Sequence, residues 1–369
     1  EIFQSQISST LDALRVMEII DSVYSSAGSS SVTAQKGSAM RTVVLDLNVF
    51  EEDVKPQELL NEYRRLLEKD MVSIREKGLE LSNCPGCQSS DCQEAFARFG
   101  MSYQCCNSCQ SLYVSPRPSE EVLDDFYRNS TSANFWRQKL LPATVEARVS
   151  KLIRPRAQWL LDVMDEYCPE PRSAIAVGYH NDLLIEQLGQ QQETSLFEIV
   201  VTNAVADIEF VGKDLSGVKL KPLPIAELGQ LPRSDLFLAF DILDRCVDPD
   251  LLFAQAAKVL EKGGLLLATT VLGSGFDIQV LWDRADGVYP PERLNLLSVE
   301  GLTELYQRHG FEALELSTPG MFDVESVRHE IELNPDAPLP RFFRYLMTQR
   351  GDEAREAFQE YLQRFRLSS

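Results

Sequence analysis

The sequence predicts an α/β protein whose main body is a doubly wound, mostly parallel sheet, accompanied by a small cysteine-held module and accessory helices. Two observations carry this expectation. From Ser173 onward the short apolar runs SAIAVG, FEIVV, DLFLAF and GGLLLATTV recur, each separated by helical or turn-rich sequence, the pattern of strands alternating with crossover helices. Six of the eight cysteines fall between Cys84 and Cys109, a clustering that a uniform core does not produce. Length and composition permit such a body: 369 residues, 44% hydrophobic and 25% charged, lie in the ordinary globular range and exclude collagen-like or wholly disordered chains.

Taken in order, Leu11, Leu14, Met17, Ile20 and Tyr24 stand at helical spacing and predict an amphipathic helix. A Ser/Gly-rich stretch follows it and reads as a linker. Thr42 to Val49 reads as a short strand, and Pro56 to Lys77 as a charged helix with Leu59, Leu60, Tyr63, Leu67 and Met71 on one side. After the cysteines, Ser119 is placed to cap a helix whose first turn carries Glu120 and Glu121. A helix ending near Tyr167 leads into the alternating region, and Arg341 to Arg366 reads as two helices. The expected organisation is a tail and linker at 1–36, a helical lead-in at 37–82, a ribbon at 83–118, the α/β body at 119–333 and terminal helices at 334–369.

The formal net charge is −20. So acidic a chain is expected to repel phosphate backbones and anionic bilayers, which excludes nucleic acid and membrane surfaces as general partners. No apolar run approaches the length of a membrane span, and no basic-then-apolar leader opens the chain. A cytoplasmic location is the expectation.

Cys84-Pro-Gly-Cys87 and Cys106-Asn-Ser-Cys109 are two C-x2-C knuckles at a separation that suits a structural zinc site. Each pair turns two sulfurs toward one ion, and four thiolates close a tetrahedral shell with no open position. Cys84, Cys87, Cys106 and Cys109 are the expected ligands of one structural zinc. Cys92 and Cys105 are spare.

The segments YQCCNSCQSLYVSPRPSEEVLDDFY, AVGYHND, DLFLAFDILDRCVDPDLLFAQAAKVLEKGGLLLATT and PPERLNLLSVEGLTELYQRHGF together resemble the class I S-adenosylmethionine-dependent methyltransferases that bear an N-terminal zinc ribbon, including sugar C-methyltransferases. The resemblance spans about residues 56 to 330. It implies a seven-stranded sheet, S-adenosylmethionine as cofactor, methyl transfer to a sugar or polysaccharide-related small molecule and, as partner, a nucleotide-linked sugar. The phrase ALRVMEIIDSVYSSA within residues 11–34 resembles the closing helix of the glucose-fructose oxidoreductase and inositol dehydrogenase family, and implies an upstream oxidoreductase domain.

By position in that family, Gly178, Tyr179, Asn203, Ile225, Ala226 and Asp241 are the implied cofactor contacts, and Glu292, Asp244, Tyr289 and His180 the groups available to move a proton at the acceptor. Glu292 ranks first because its loop matches the acceptor-facing segment. The chain departs from the family where ligands belong. One glycine, Gly178, remains of the family's glycine-rich loop, with Ala176, His180 and Asp182 at its other positions; Asn203 stands for the ribose-binding acid; and Glu292-Arg293 replaces a histidine pair. This predicts weakened affinity for the cofactor, and leaves open an alternative reading as a noncatalytic methyltransferase-like domain attached to an oxidoreductase. Arg245 and Arg293 are expected either to clamp a substrate anion or to pair with surface acids. His309 is expected at a helix end and His329 in solvent, and Asp277, Gln279 and Trp282 are spaced to line a pocket or fill the core.

Overall fold

The computed structural model describes residues 54–178, 181–190, 198–202, 218–220 and 223–369. The readings placed on residues 1–53, on Tyr179 and His180 and on Asn203 lie outside the described residues.

A 20-residue helix, Gln57–Glu76, buries Tyr63, Leu67, Met71 and Ile74, the apolar stripe legible in the sequence. It packs on the ribbon, whose strands β1 (Cys92–Arg98), β2 (Met101–Cys106) and β3 (Leu112–Val114) are antiparallel. A fourth strand, β9 (Asn295–Leu296), comes from far along the chain and pairs with β3 through Leu112↔Leu296 and Tyr113↔Asn295. The helix Glu120–Asn129 begins as expected, with Ser119 Oγ accepting from Val122 N. Helical backbone then runs from Thr131 to Tyr167, interrupted by two π turns at Trp136–Leu140 and Val149–Ile153. Insertions of this kind widen a helix and re-aim the side chains beside them.

The body is a parallel sheet in the order β6-β5-β4-β7-β8, formed by β4 (Ser173–Gly178), β5 (Glu198–Thr202), β6 (Val218–Leu220), β7 (Ser234–Phe240) and β8 (Leu260–Thr269). Its two faces sort by the two-residue period of a strand. Ile175, Val177, Phe237 and Ala239 enter one apolar cluster with Leu252, Phe253 and Ala256, whereas Ala174, Ala176, Leu236, Leu238 and Phe240 enter the other with Ala157, Leu160, Leu184 and Leu188. Burial on both sides explains why these strands read as unbroken apolar runs. Asp235, at the start of β7, accepts from Arg172 N and Ser173 N and so ties the entrances of β7 and β4 together.

The expectation of seven strands is corrected to five among the described residues. Asn295–Leu296 joins the ribbon's sheet instead of the parallel one, and Leu272, just beyond β8, makes an isolated bridge with Leu297. Residues 311–322 return as irregular chain with a single bridge residue, Glu315. Pro319 and Gly320 break that stretch, and the indole of Trp159 holds Glu315 at 2.8 Å.

Two helices, Arg341–Gln349 and Asp352–Arg364, close the chain as read from the sequence. They share a cluster with the helix Gln57–Glu76 and the ribbon, through Met347, Leu362, Tyr63, Leu67 and Tyr103.

Candidate functional sites

The cysteine site is built on two turns. Cys84 and Cys87 flank one, Cys106 and Cys109 the other, and their four sulfurs lie within 4.8 Å of one another. Cys84 Sγ is 3.5 Å from Cys109 Sγ, and Cys87 Sγ is 3.4 Å from Cys106 Sγ. A regular tetrahedron of zinc–sulfur bonds has edges of about 3.8 Å, so the donor set fits one such ion. Three of the four are buried, and Tyr113 packs against them. The contact with the Cys109 thiol and, after it, burial make proton loss from Cys84 hard, whereas bonds from Cys84 and Ser111 hold Cys109 down at about 4. Such an unequal set is relieved when a cation replaces the protons.

The second site lies at the carboxyl edge of the parallel sheet, where doubly wound folds bind ligands. Gly178 ends β4 with φ +134°, and a Cβ there would lie 2.1 Å from the Phe240 carbonyl oxygen. The close approach of β7 therefore accounts for this glycine. Asp241 directly follows β7, with φ +53°. Its carboxylate takes two bonds from Arg156, at 2.8 and 3.2 Å, and one from Thr269 Oγ1 at 2.9 Å. Burial alone would raise its pKa, yet the Arg156 charge and bonds hold it well below the carboxylate range.

Beyond β7 three of the four residues expected to move a proton, Asp244, Tyr289 and Glu292, lie around the paired arginines Arg245 and Arg293; the fourth, His180, is outside the described residues. Asp244 pairs with Arg293, and its backbone carbonyl accepts from Leu294 N and Asn295 N. Glu292, 6% exposed, pairs with Arg245 at 2.8 Å. The guanidinium of Arg293 lies 5.4 Å from the centre of the Tyr289 ring. Tyr103 of the ribbon donates to the Arg293 carbonyl, and Asn295 donates to the carbonyls of Leu243 and Cys246. The loop is thus held from both sides. Burial pushes Glu292 up to about 7 although Arg293 opposes it; it also raises Asp244. Tyr289 is lowered, because the surrounding arginines outweigh its burial.

Both arginines expected as a clamp or a surface pair are thus committed to the buried acids Glu292 and Asp244. Ile225 sits in the core beside Val177 and Phe237. Ala226 is exposed, and its carbonyl accepts from Gln255. His309 follows the helix Val299–Arg308 and contacts Asp250 at 2.9 Å. His329 is half-buried, contrary to its expected place in solvent, and lines a separate cleft of about 350 Å³ with Arg64, Arg98 and Arg284. Asp277 is buried, Gln279 donates to the Gly273 carbonyl, and Trp282 packs edge-on against Phe96. Sequence reasoning passed over Arg156, the partner of Asp241; the signal that marks it is its position on the helix Arg154–Tyr167 that leads into β4.

No family model and no curated protein sequence matches the chain. Among solved structures it is similar to the N-terminal domain of EvdMO1 with SAH bound (TM-score 0.33, 16% identity, 44% of this chain and 72% of that one). It is also similar to an O-methyltransferase family protein from Burkholderia thailandensis (0.36, 15%, 49% and 57%). A third is CalO1, a methyltransferase in calicheamicin biosynthesis, in its SAH-bound form (0.37, 14%, 55% and 60%). At this distance the functional reading rests on the chain's own topology and residues.

Proposed function

We propose that the chain is an S-adenosylmethionine-dependent methyltransferase-like protein acting on a sugar or polysaccharide-related small molecule, with a structural zinc in its ribbon. The observation that carries this reading is the gathering of Glu292, Tyr289 and Asp244 beyond the carboxyl edge of a parallel sheet ordered β6-β5-β4-β7-β8. By position, Gly178 and Asp241 fit the cofactor's side of that edge. The cofactor supplies an electrophilic methyl group, and the chain's residues do the rest. Glu292, titrating near 7, suits a base that takes a proton from the acceptor, since a catalytic pKa close to working pH serves that task best. Asp244 Oδ1 is buried and without a hydrogen-bond partner among the described residues, which suits it to accept a bond from a sugar hydroxyl.

A second reading, a domain that keeps the scaffold without the chemistry, is favoured by one feature. Asp241, Asp244 and Glu292 are each paired with an arginine, as a retired site would leave them. Calorimetric titration of the full chain with S-adenosylhomocysteine separates the two. A saturable, Asp241-sensitive isotherm supports the enzyme; absence of heat at millimolar ligand defeats it and leaves the noncatalytic domain.

A further inference from the structure

A buried arginine joins three parts of the chain that lie far apart in sequence. Arg117 follows β3 of the ribbon and is 3% exposed, yet among the described residues it makes no ion pair. Its guanidinium meets neutral oxygens instead. Nε donates to the Val114 carbonyl at 3.0 Å, in the ribbon; Nη1 donates to the Val247 carbonyl at 2.7 Å, beyond β7, and to Asn295 Oδ1 at 3.0 Å, in β9. Asn295 is fully buried and carries the connection onward, because its Nδ2 donates to the Leu243 and Cys246 carbonyls at 2.8 and 2.7 Å. Those two residues bracket Asp244 and Arg245. A second tie comes from Tyr103 in β2, also fully buried, whose phenol donates to the Arg293 carbonyl at 2.5 Å. On one side of Arg293 lies Glu292; on the other, the Leu294 carbonyl accepts from Val114 N at 2.9 Å.

Withdrawing a guanidinium from water without a counter-ion is costly, and every oxygen it meets would be orphaned if the three segments moved apart. A buried polar network of this kind admits one arrangement of the segments it joins, since any other leaves donors or acceptors unmet. The segments joined here are the ribbon and the two loops that bear Asp244 and Glu292. Groups that move a proton must be held to within about 0.5 Å by the residues behind them, and these bonds supply such a support from outside the parallel sheet.

On the reading of the previous subsection, we propose that Arg117 and Tyr103 are positioning residues through which the cysteine ribbon sets the acids of the carboxyl-edge site. Arg117 acts through Asn295 on the loop of Asp244, and Tyr103 acts through Arg293 on Glu292. The ribbon is then a working part of the site and not only a stapled module beside it.

Carbon-13 carboxyl NMR of the full chain, prepared without chelator, reads the effect as the titration of Glu292, whose resonance is assigned with Glu292→Gln. Tyr103→Phe keeps the ring and removes one hydroxyl. It is expected to let water reach Glu292 and bring its midpoint down from near 7 by about 1. Arg117→Lys keeps the charge but cannot span three acceptors, and is expected to act in the same direction. Ser119→Ala removes the cap of the helix Glu120–Asn129; it is expected to lower the melting midpoint and leave the Glu292 titration where it is, which separates positioning from general loosening. A Glu292 midpoint unchanged in Tyr103→Phe overturns the proposal, as does an equal fall in Ser119→Ala. S-adenosylhomocysteine is titrated in parallel into the wild type. Its failure to bind defeats the methyltransferase reading without moving the NMR result, so the two failures are distinguishable.

Discussion

Gly86, in the first cysteine turn, and Gly301, in the helix Val299–Arg308, touch backbone to backbone: a Cβ on Gly86 would lie 2.8 Å from Gly301 Cα and 3.0 Å from its carbonyl oxygen. A Cβ on Gly301 would lie 2.2 Å from Ser111 Oγ and 3.1 Å from Cys109 Sγ. The ribbon is therefore docked on the α/β body through two residues without side chains. Gly301→Ala is expected to destabilise the fold by about 1–3 kcal/mol, the usual cost of overpacking a tight contact. Thermal unfolding measures it, and a melting midpoint equal to the wild type would show that the two surfaces separate freely.

One equivalent of zinc per chain is the second expectation, since the four sulfurs already span a shell of the right size. Elemental analysis of protein prepared without chelator reads it directly. Cys106→Ser is expected to retain less than half an equivalent and to melt earlier. Metal-free wild type with an unchanged melting midpoint would count against a structural ion.

Glu292 offers a kinetic expectation. If it takes the acceptor's proton, Glu292→Gln lowers turnover by about 10²- to 10⁴-fold while leaving affinity for S-adenosylhomocysteine within a few-fold of the wild type. Turnover preserved in the variant would move the base elsewhere, with Tyr289 next.

The pH dependence of stability follows from two buried acids. Burial raises Glu292 to about 7, and burial together with Asp323 raises Asp277 to about 7. A carboxyl whose folded pKa exceeds its unfolded value binds its proton more tightly when folded. Its stabilising contribution is complete below the unfolded value and is lost as pH rises through about 7. Asp241 works in the opposite sense, but only below the ordinary carboxylate range. The protein is therefore expected to melt earlier at pH 8 than at pH 5.5, and Asp277→Asn to shrink that difference. A difference of the same size in the variant would place the titration on other groups.

Much of the scaffold was legible because its signals are local. The stripe Tyr63, Leu67, Met71 declares its helix, the doubly buried strands declare themselves by unbroken apolar runs, and Ser119 declares a helix start. The cysteine spacing likewise announced four sulfurs that the fold does bring together. What escaped was set by partners distant in sequence. Asn295–Leu296 is two residues long and carries no periodicity, so nothing local revealed that it pairs with the ribbon. Asp244, Arg245, Glu292 and Arg293 were visible as charges, but charge does not say which arginine meets which acid. Gly178 was legible as a glycine and not as the neighbour of the Phe240 carbonyl.

The pairing of β3 with β9 also constrains the order in which the chain can assemble. Ser111 and Ser298, whose hydroxyls meet at 3.3 Å, are 187 residues apart in sequence, and such distant contacts form slowly because a long loop must close before they return any energy. During synthesis the cysteine turns emerge well before their fourth strand exists. Until then β3 presents a bare edge, the kind of surface that invites pairing with other chains. Early capture of a metal ion by the four cysteines would hold the hairpin in register through that interval, giving the ion a part in kinetics distinct from its contribution to the finished fold.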